Sequence, residues 1–467
     1  MKHFNSFLFT FRWSRSISTL FLLSFFTFHL SYAQTNVNKE WQANSGLPAT
    51  VDWQASATHP IGITATVGNK QNGATADLYV SLTAKDGTVL WDQVLDPYGD
   101  NDYGSAVAFS GTDIIVGGAT FNPDSNDYNA VVARFDSSGT LLWSVIYDDN
   151  FGGNDAVTAV AVSDIGNLFI TGGSEGNGTT YDYHTMKLDG AGNILWHATY
   201  DYQGLFDVPA AITVDQQENV VVTGGSSTTF TDWDYATVQY DSNGNELGVH
   251  RLEAIGAGVD RPAAMSRTAD GNIHITGTTS SDGTNYDIQT IKLSPTLSLE
   301  WTATYAAPGL SDEATGIDVD SDGNVYVSGT ITDENGNQIM VLIAYDANGT
   351  ELWVEKRLPQ DSDGTTKGKD VKVTSDDKVV IVGEETKDGN TDILAIQYST
   401  DGDKKWEKKT DGGGNDKAAK VQLDASGDIY ITGKTSDGST ENYTTVKYST
   451  FDKPKDAVMD SSGTYPL

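Results

Sequence analysis

Val341-Leu-Ile-Ala-Tyr345-Asp-Ala-Asn-Gly349-Thr-Glu-Leu-Trp353 is the stretch whose reading decides the fold. Its first five residues are apolar and β-favouring, as a strand demands. Asp346 to Gly349 form an Asp-x-x-Gly turn, with the glycine free to take a positive φ. The tail is a second short strand ending in a tryptophan. About 52 residues away in either direction the pattern returns. The copies are Ala84–Trp91, Phe135–Trp143, Leu188–Trp196, Tyr240–Leu247 and Tyr398–Trp406.

Around each copy lie four strand-like segments, A to D, joined by turns rich in Gly, Asn and Asp. Four short antiparallel strands per repeat predict a propeller blade, and the B segments number eight. The tryptophans of strand D are Trp91, Trp143, Trp196, Trp301, Trp353 and Trp406, with Gly248 where another would fall. The last repeat has no D segment, and an unmatched one stands at the opposite end of the chain, at Asn38-Lys-Glu-Trp41-Gln. Trp41 therefore completes the series. The expectation is an all-β, eight-bladed propeller over residues 34–450, closed by its N-terminal strand. Closure leaves no open sheet ends to cap.

Residues 35–450 resemble the SBBP-type β-propeller repeat of secreted bacterial proteins. That family is described as seven-bladed, against the eight repeats counted here. Asp346-Ala-Asn-Gly349-Thr-Glu-Leu-Trp353 is also similar to the tryptophan-docking motif of eight-bladed quinoprotein dehydrogenases and related scaffold propellers. The resemblance implies that each Trp packs between neighbouring blades. It implies nothing about activity.

Residues 1–33 read as a signal peptide. Lys2, Arg12 and Arg15 precede the apolar run Ile17–Leu30, and Ser31-Tyr-Ala33 offers a cleavage site before Gln34. The run is too short to span a bilayer comfortably. The expected location is therefore outside the cell or on its surface, with the periplasm as the alternative and no membrane insertion. Residues 451–467 depart from the repeat and read as a linker or the start of a further segment. The formal charge is −35, and losing residues 1–33 makes it more negative. That disfavours nucleic acid as a partner. Cysteine is absent, which removes disulfides, thiol nucleophiles and thiolate metal sites. A monomer is expected.

Two sets of carboxylates recur. Asp102, Asp155, Asp207, Asp260, Asp312 and Asp416 precede strand A, with Thr366 at that place in repeat seven. Asp77, Asp127, Asp182, Asp234, Asp287 and Asp392 open strand C. Both should lie on the face bearing the D–A and B–C connections. They read either as an acidic surface for a cation or basic partner or as caps that fix loops by accepting backbone N–H groups. The second reading is preferred, because a ligand rarely shares the symmetry of a ring.

Asp318-Val-Asp-Ser-Asp-Gly323 begins like a calcium loop, but Gly329 stands where the bidentate acid belongs. It reads as a hairpin turn, with calcium as the alternative and no cofactor otherwise expected. Gly172-Gly-Ser174-Glu-Gly176 has the nucleophile-elbow spacing without the helix that pattern requires. The vicinal cysteine pair typical of the quinoprotein enzymes that the motif resembles is absent. Repeats four and five break the symmetry with Trp233, Gly248, His250, Arg251, Arg261 and Arg267. Arg261 is a candidate for an anionic group or an ion pair with Asp260 or its neighbours, and Trp233 for stacking on a sugar. The expected role is a non-catalytic module that binds or scaffolds protein or glycan. The alternatives are the propeller of a longer secreted hydrolase, or a carboxylate-dependent glycan hydrolase or lyase.

Overall fold

The computed structural model describes residues 38–44, 51–148, 153–176, 180–252, 258–280, 285–308, 311–361, 364–438 and 441–449. The proposed signal peptide and the segment 451–467 lie outside the described residues. No helix among the described residues is long and apolar enough to cross a membrane.

Eight four-stranded antiparallel sheets form the blades. Blade 6 shows the pattern, with strands Glu313–Val319 (A), Val325–Thr332 (B), Gln338–Tyr345 (C) and Glu351–Arg357 (D). Blades 1 to 7 span residues 51–95, 102–147, 155–200, 207–252, 261–305, 313–357 and 365–410. Blade 8 takes strands A to C from Lys417–Leu423, Ile429–Ser436 and Glu441–Ser449. Its outer strand is Asn38–Asn44, antiparallel to Glu441–Ser449 with Trp41 opposite Lys447. The Trp41 side chain lies outside the described residues.

The ring closes through side chains as well as strands. Gln422 Nε2 donates to the Ser56 carbonyl at 2.6 Å, and Ser56 Oγ meets Thr432 Oγ1 at 2.7 Å. Lys85 of blade 1 pairs with Asp424 of blade 8 at 2.8 Å. The core lies between blades. Phe169 and Tyr183 of blade 3, for example, pack with Val220, Val222, Ala236, Val238 and Tyr240 of blade 4. Strands B and C are buried on both faces, so they lack the alternation of a sheet with one wet side. Strand D alternates, as an outer strand should.

Five blades are latched to the next by a tryptophan of strand D. On the face bearing the C–D turns, Trp91, Trp143, Trp196, Trp301 and Trp353 reach the following blade. Their indole N–H groups donate to the carbonyls of Ser137, Gly190, Ser242, Ala347 and Thr400 at 2.8–3.1 Å. Each ring lies against that turn's glycine; a Cβ on Gly349 would come within 2.6 Å of Trp301. These glycines hold φ between 83° and 87°. The turn's Asp pins the loop, as Asp346 Oδ1 accepts from Asn348 and Thr350. Trp406 has no such turn to meet, because strands C and D of blade 8 come from opposite ends of the chain. Its indole N–H donates to Gln397 Oε1 instead.

Candidate functional site

The face carrying the D–A and B–C connections, called the upper face here, holds both carboxylate sets. The six residues that open strand A are only 0–2% exposed. They turn into the junctions between blades and do not line an open acidic funnel. Most act on backbone. Asp312 accepts from the N–H groups of Ala307 at 2.8 Å and Thr332 at 3.2 Å. Asp416 accepts from Gly412 at 2.5 Å and Ser436 at 2.7 Å. Asp207 takes the Tyr202 N–H and Asp260 the Ser280 N–H. Where Asn precedes the Asp, its side chain ties the B–C loop of the previous blade. Asn101, Asn154 and Asn415 accept from the N–H groups of Ala76, Tyr128 and Thr391. Thr366, also buried, accepts the Met340 N–H at the equivalent place in blade 7.

Burial raises the pKa of these carboxyls: Asp102 to about 7, and Asp207 and Asp260 to about 6. Asp312 and Asp416 move the same way for the same reason. Desolvation disfavours the charged form, and backbone N–H donors recover only part of the loss.

Arg261 forms no ion pair with Asp260, contrary to that expectation. Adjacent residues of an extended chain point to opposite sides, so Asp260 turns inward while Arg261 is exposed. The Arg261 guanidinium lies over the Trp233 ring at 5.0 Å, a cation–π contact. Trp233 also stacks on Phe206. Arg251 and Arg267 are paired with Asp234 and Asp215, at 2.9 Å each.

The Asp318–Gly323 stretch is a hairpin turn. Asp320 accepts the N–H groups of Asp322 and Asn324 on one oxygen and the Asn324 amide and Tyr326 hydroxyl on the other. Ser174 ends strand B of blade 3. Spacing gave no hint that it shares a cavity with His184 and Asp155. That cavity measures 10 Å³, room for about one water, so no substrate enters it. His184 is stacked between Tyr147 and His197, and burial lowers its pKa to about 4.

Among the described residues, an open groove of 540 Å³ lined by aromatic side chains lies on the upper face between blades 2 and 3. Tyr103, Tyr128 and Tyr181 line it, together with Ser105, Asn154, Asp155 and Val157. Its size is typical of small-molecule pockets. Tyr103 is 38% exposed and packs on Tyr128 at 5.6 Å between centroids. Tyr103 and Tyr128 sit in strands A and C of blade 2, and Tyr181 in the B–C loop of blade 3. Two larger grooves, of 720 and 700 Å³, run along the opposite face. Polar turn residues such as Asp164, Gln216, Asp270 and Asp322 line them, and neither has an aromatic floor.

Residues 300–337 match the family described as SBBP, Beta-propeller repeat. An uncharacterised WD repeat-containing protein of Acanthamoeba polyphaga mimivirus is 27% identical over 338 residues. The match takes in 68% of this chain and 20% of that protein, so the chain spans about a fifth of its relative's length. Among solved structures, Sqt1 of Chaetomium thermophilum superimposes with a TM-score of 0.58 at 11% identity, covering 88% of this chain and 99% of that one. A second structure of the same protein gives 0.57. At such identity the likeness is one of fold. With the ring and its latches, the chain is an eight-bladed β-propeller, of which residues 300–337 match an SBBP repeat.

Proposed function

We propose that the protein is an exported, non-catalytic binding module that takes a neutral glycan on its upper face. The Tyr103–Tyr128–Tyr181 groove carries this reading. Aromatic rings offer flat apolar area to the C–H faces of a sugar. The rings are already braced, Tyr128 on Phe121 at 5.2 Å and on Tyr103. Little ordering is then required on binding.

Isothermal titration of the purified chain with neutral gluco-, xylo- and manno-oligosaccharides tests this. Binding to at least one class is expected, and Tyr103→Ala should weaken it about tenfold without lowering the melting temperature. Absence of binding across the panel, or binding that ignores Tyr103→Ala and Tyr181→Ala, defeats the assignment. A protein partner is the second reading, supported by the net charge of −35, which would draw a basic surface. Export is part of the proposal. Its check is the N-terminal sequence of the mature protein, expected to begin at Gln34.

A further inference from the structure

The carboxylate at the start of strand A is held by backbone in blades 4, 6 and 8, through an N–H group of the loop before it. That donor lies five residues back from Asp207 and Asp312 and four back from Asp416. Five residues before Asp102 stands Pro97, which has no N–H to give. Asp102 is 1% exposed, and neither of its oxygens has a hydrogen-bond partner among the described residues. The Thr120 hydroxyl favours its charged form somewhat, but less than burial disfavours it. A buried carboxylate left this way is costly.

What surrounds Asp102 is more negative charge. Asp77, opening strand C of blade 1, is 3% exposed; its Oδ1 has no partner and its Oδ2 accepts from Asn72 at 3.1 Å. Asp96, exposed at the start of the loop, accepts the Gly99 N–H at 2.6 Å. One oxygen from each of Asp77, Asp96 and Asp102 lies within 4.8 Å of the others. Two further acidic triads occupy equivalent junctions, Asp182–Asp201–Asp207 and Asp392–Asp411–Asp416. There Arg251 acts on Asp207 and Lys409 on Asp392, and backbone N–H groups already occupy oxygens of Asp207 and Asp416. Beside Asp102 the charged neighbours are Asp96 and Asp77. Lys70 offsets only Asp77, with its ammonium over the Tyr79 ring.

We propose that Asp77, Asp96 and Asp102 bind a divalent cation of the calcium class between blades 1 and 2. Three carboxylates form a hard oxygen donor set, and the exposed Asp96 side is the entry. The cation supplies the positive partner that Pro97 denies to Asp102. It ties strand C of blade 1, the connecting loop and strand A of blade 2 together, which backbone does in blades 6 and 8. This inference stands apart from the glycan reading.

The test is calcium titration of the full chain, stripped with chelator, by calorimetry and thermal unfolding at pH 8. One site is expected with a dissociation constant of about 10⁻⁴–10⁻³ M, together with a rise in melting temperature. Asp96→Asn, at an exposed position, should weaken it about tenfold or more, as should Asp102→Asn. Asp416→Asn should leave it intact. No binding heat and no thermal shift at about 10 mM calcium overturns the proposal. So does binding that survives undiminished in both Asp96→Asn and Asp102→Asn.

Discussion

Asp102 is the residue where the ring's symmetry and its chemistry part. In the metal-free protein its carboxyl titrates near 7 because it is buried beside Asp96 and Asp77. An unfolded aspartate titrates near 3.9. Between those values the folded chain holds a proton that the unfolded chain has released. Stability from this group therefore falls as pH rises from about 4 to about 7. Buried His184 and His274, lowered to about 4, act in the opposite direction below about 6.5. The difference between wild type and Asp102→Asn cancels them. In chelator, Asp102→Asn should match wild type in melting temperature near pH 4 and exceed it near pH 8. Thermal unfolding at both values checks this, and a gap that does not widen with pH contradicts it.

At the level of elements, the tryptophan latch explains an apparent defect. Blade 4 has Gly248 where a Trp is due, and nothing lies within 4 Å of the position its Cβ would take. The turn that should receive the ring belongs to blade 5 and reads Ser294-Pro-Thr-Leu297. Leu297 keeps a positive φ of 60° where the other turns use glycine. That conformation costs an L-residue about 1–2 kcal/mol. Leu297 is 5% exposed and packs in the core between blades 4 and 5 with Val221, Tyr235 and Ile273. A side chain reaching in from the turn stands in for one reaching across from the strand. Gly248→Trp alone should destabilise by about 1–3 kcal/mol through overpacking, and Leu297→Gly alone by about 2–5 kcal/mol through the cavity. The double variant should cost less than the sum of the two. A chemical-denaturation cycle measures the coupling, and strict additivity would contradict the exchange.

At the scale of the whole molecule, the ring depends on strand Asn38–Asn44. It covers the edge of Glu441–Ser449 and brings Glu40 to Lys447 at 2.6 Å, where Lys447 also meets Asp428 at 2.8 Å. Removing residues 34–44 leaves that edge bare and takes one acidic partner from a Lys447 side chain only 4% exposed. The expected loss is on the order of 5 kcal/mol from the strand's hydrogen bonds. The truncated chain should also associate through the exposed edge. Denaturation and light scattering read these outcomes. A synthetic 38–44 peptide should restore part of the stability, and a truncated chain as stable as the full one would mean that the ring closes elsewhere.

The sequence by itself determined the blade, the number of blades and the strand that closes them. Those features repeat, and each copy of Asp-x-x-Gly and Trp is a local chemical requirement of a turn or a latch. Tertiary structure decided which repeated residues are architecture and which are exposed. Asp312 and Asp102 look alike in the chain, yet one is satisfied by two N–H groups and the other faces two carboxylates. The difference arises from Pro97 and from a neighbouring blade, which no local pattern encodes. The Tyr103–Tyr128–Tyr181 groove was partly hidden for the same reason. Its walls come from two blades, and they meet only once the ring brings blade 2 against blade 3.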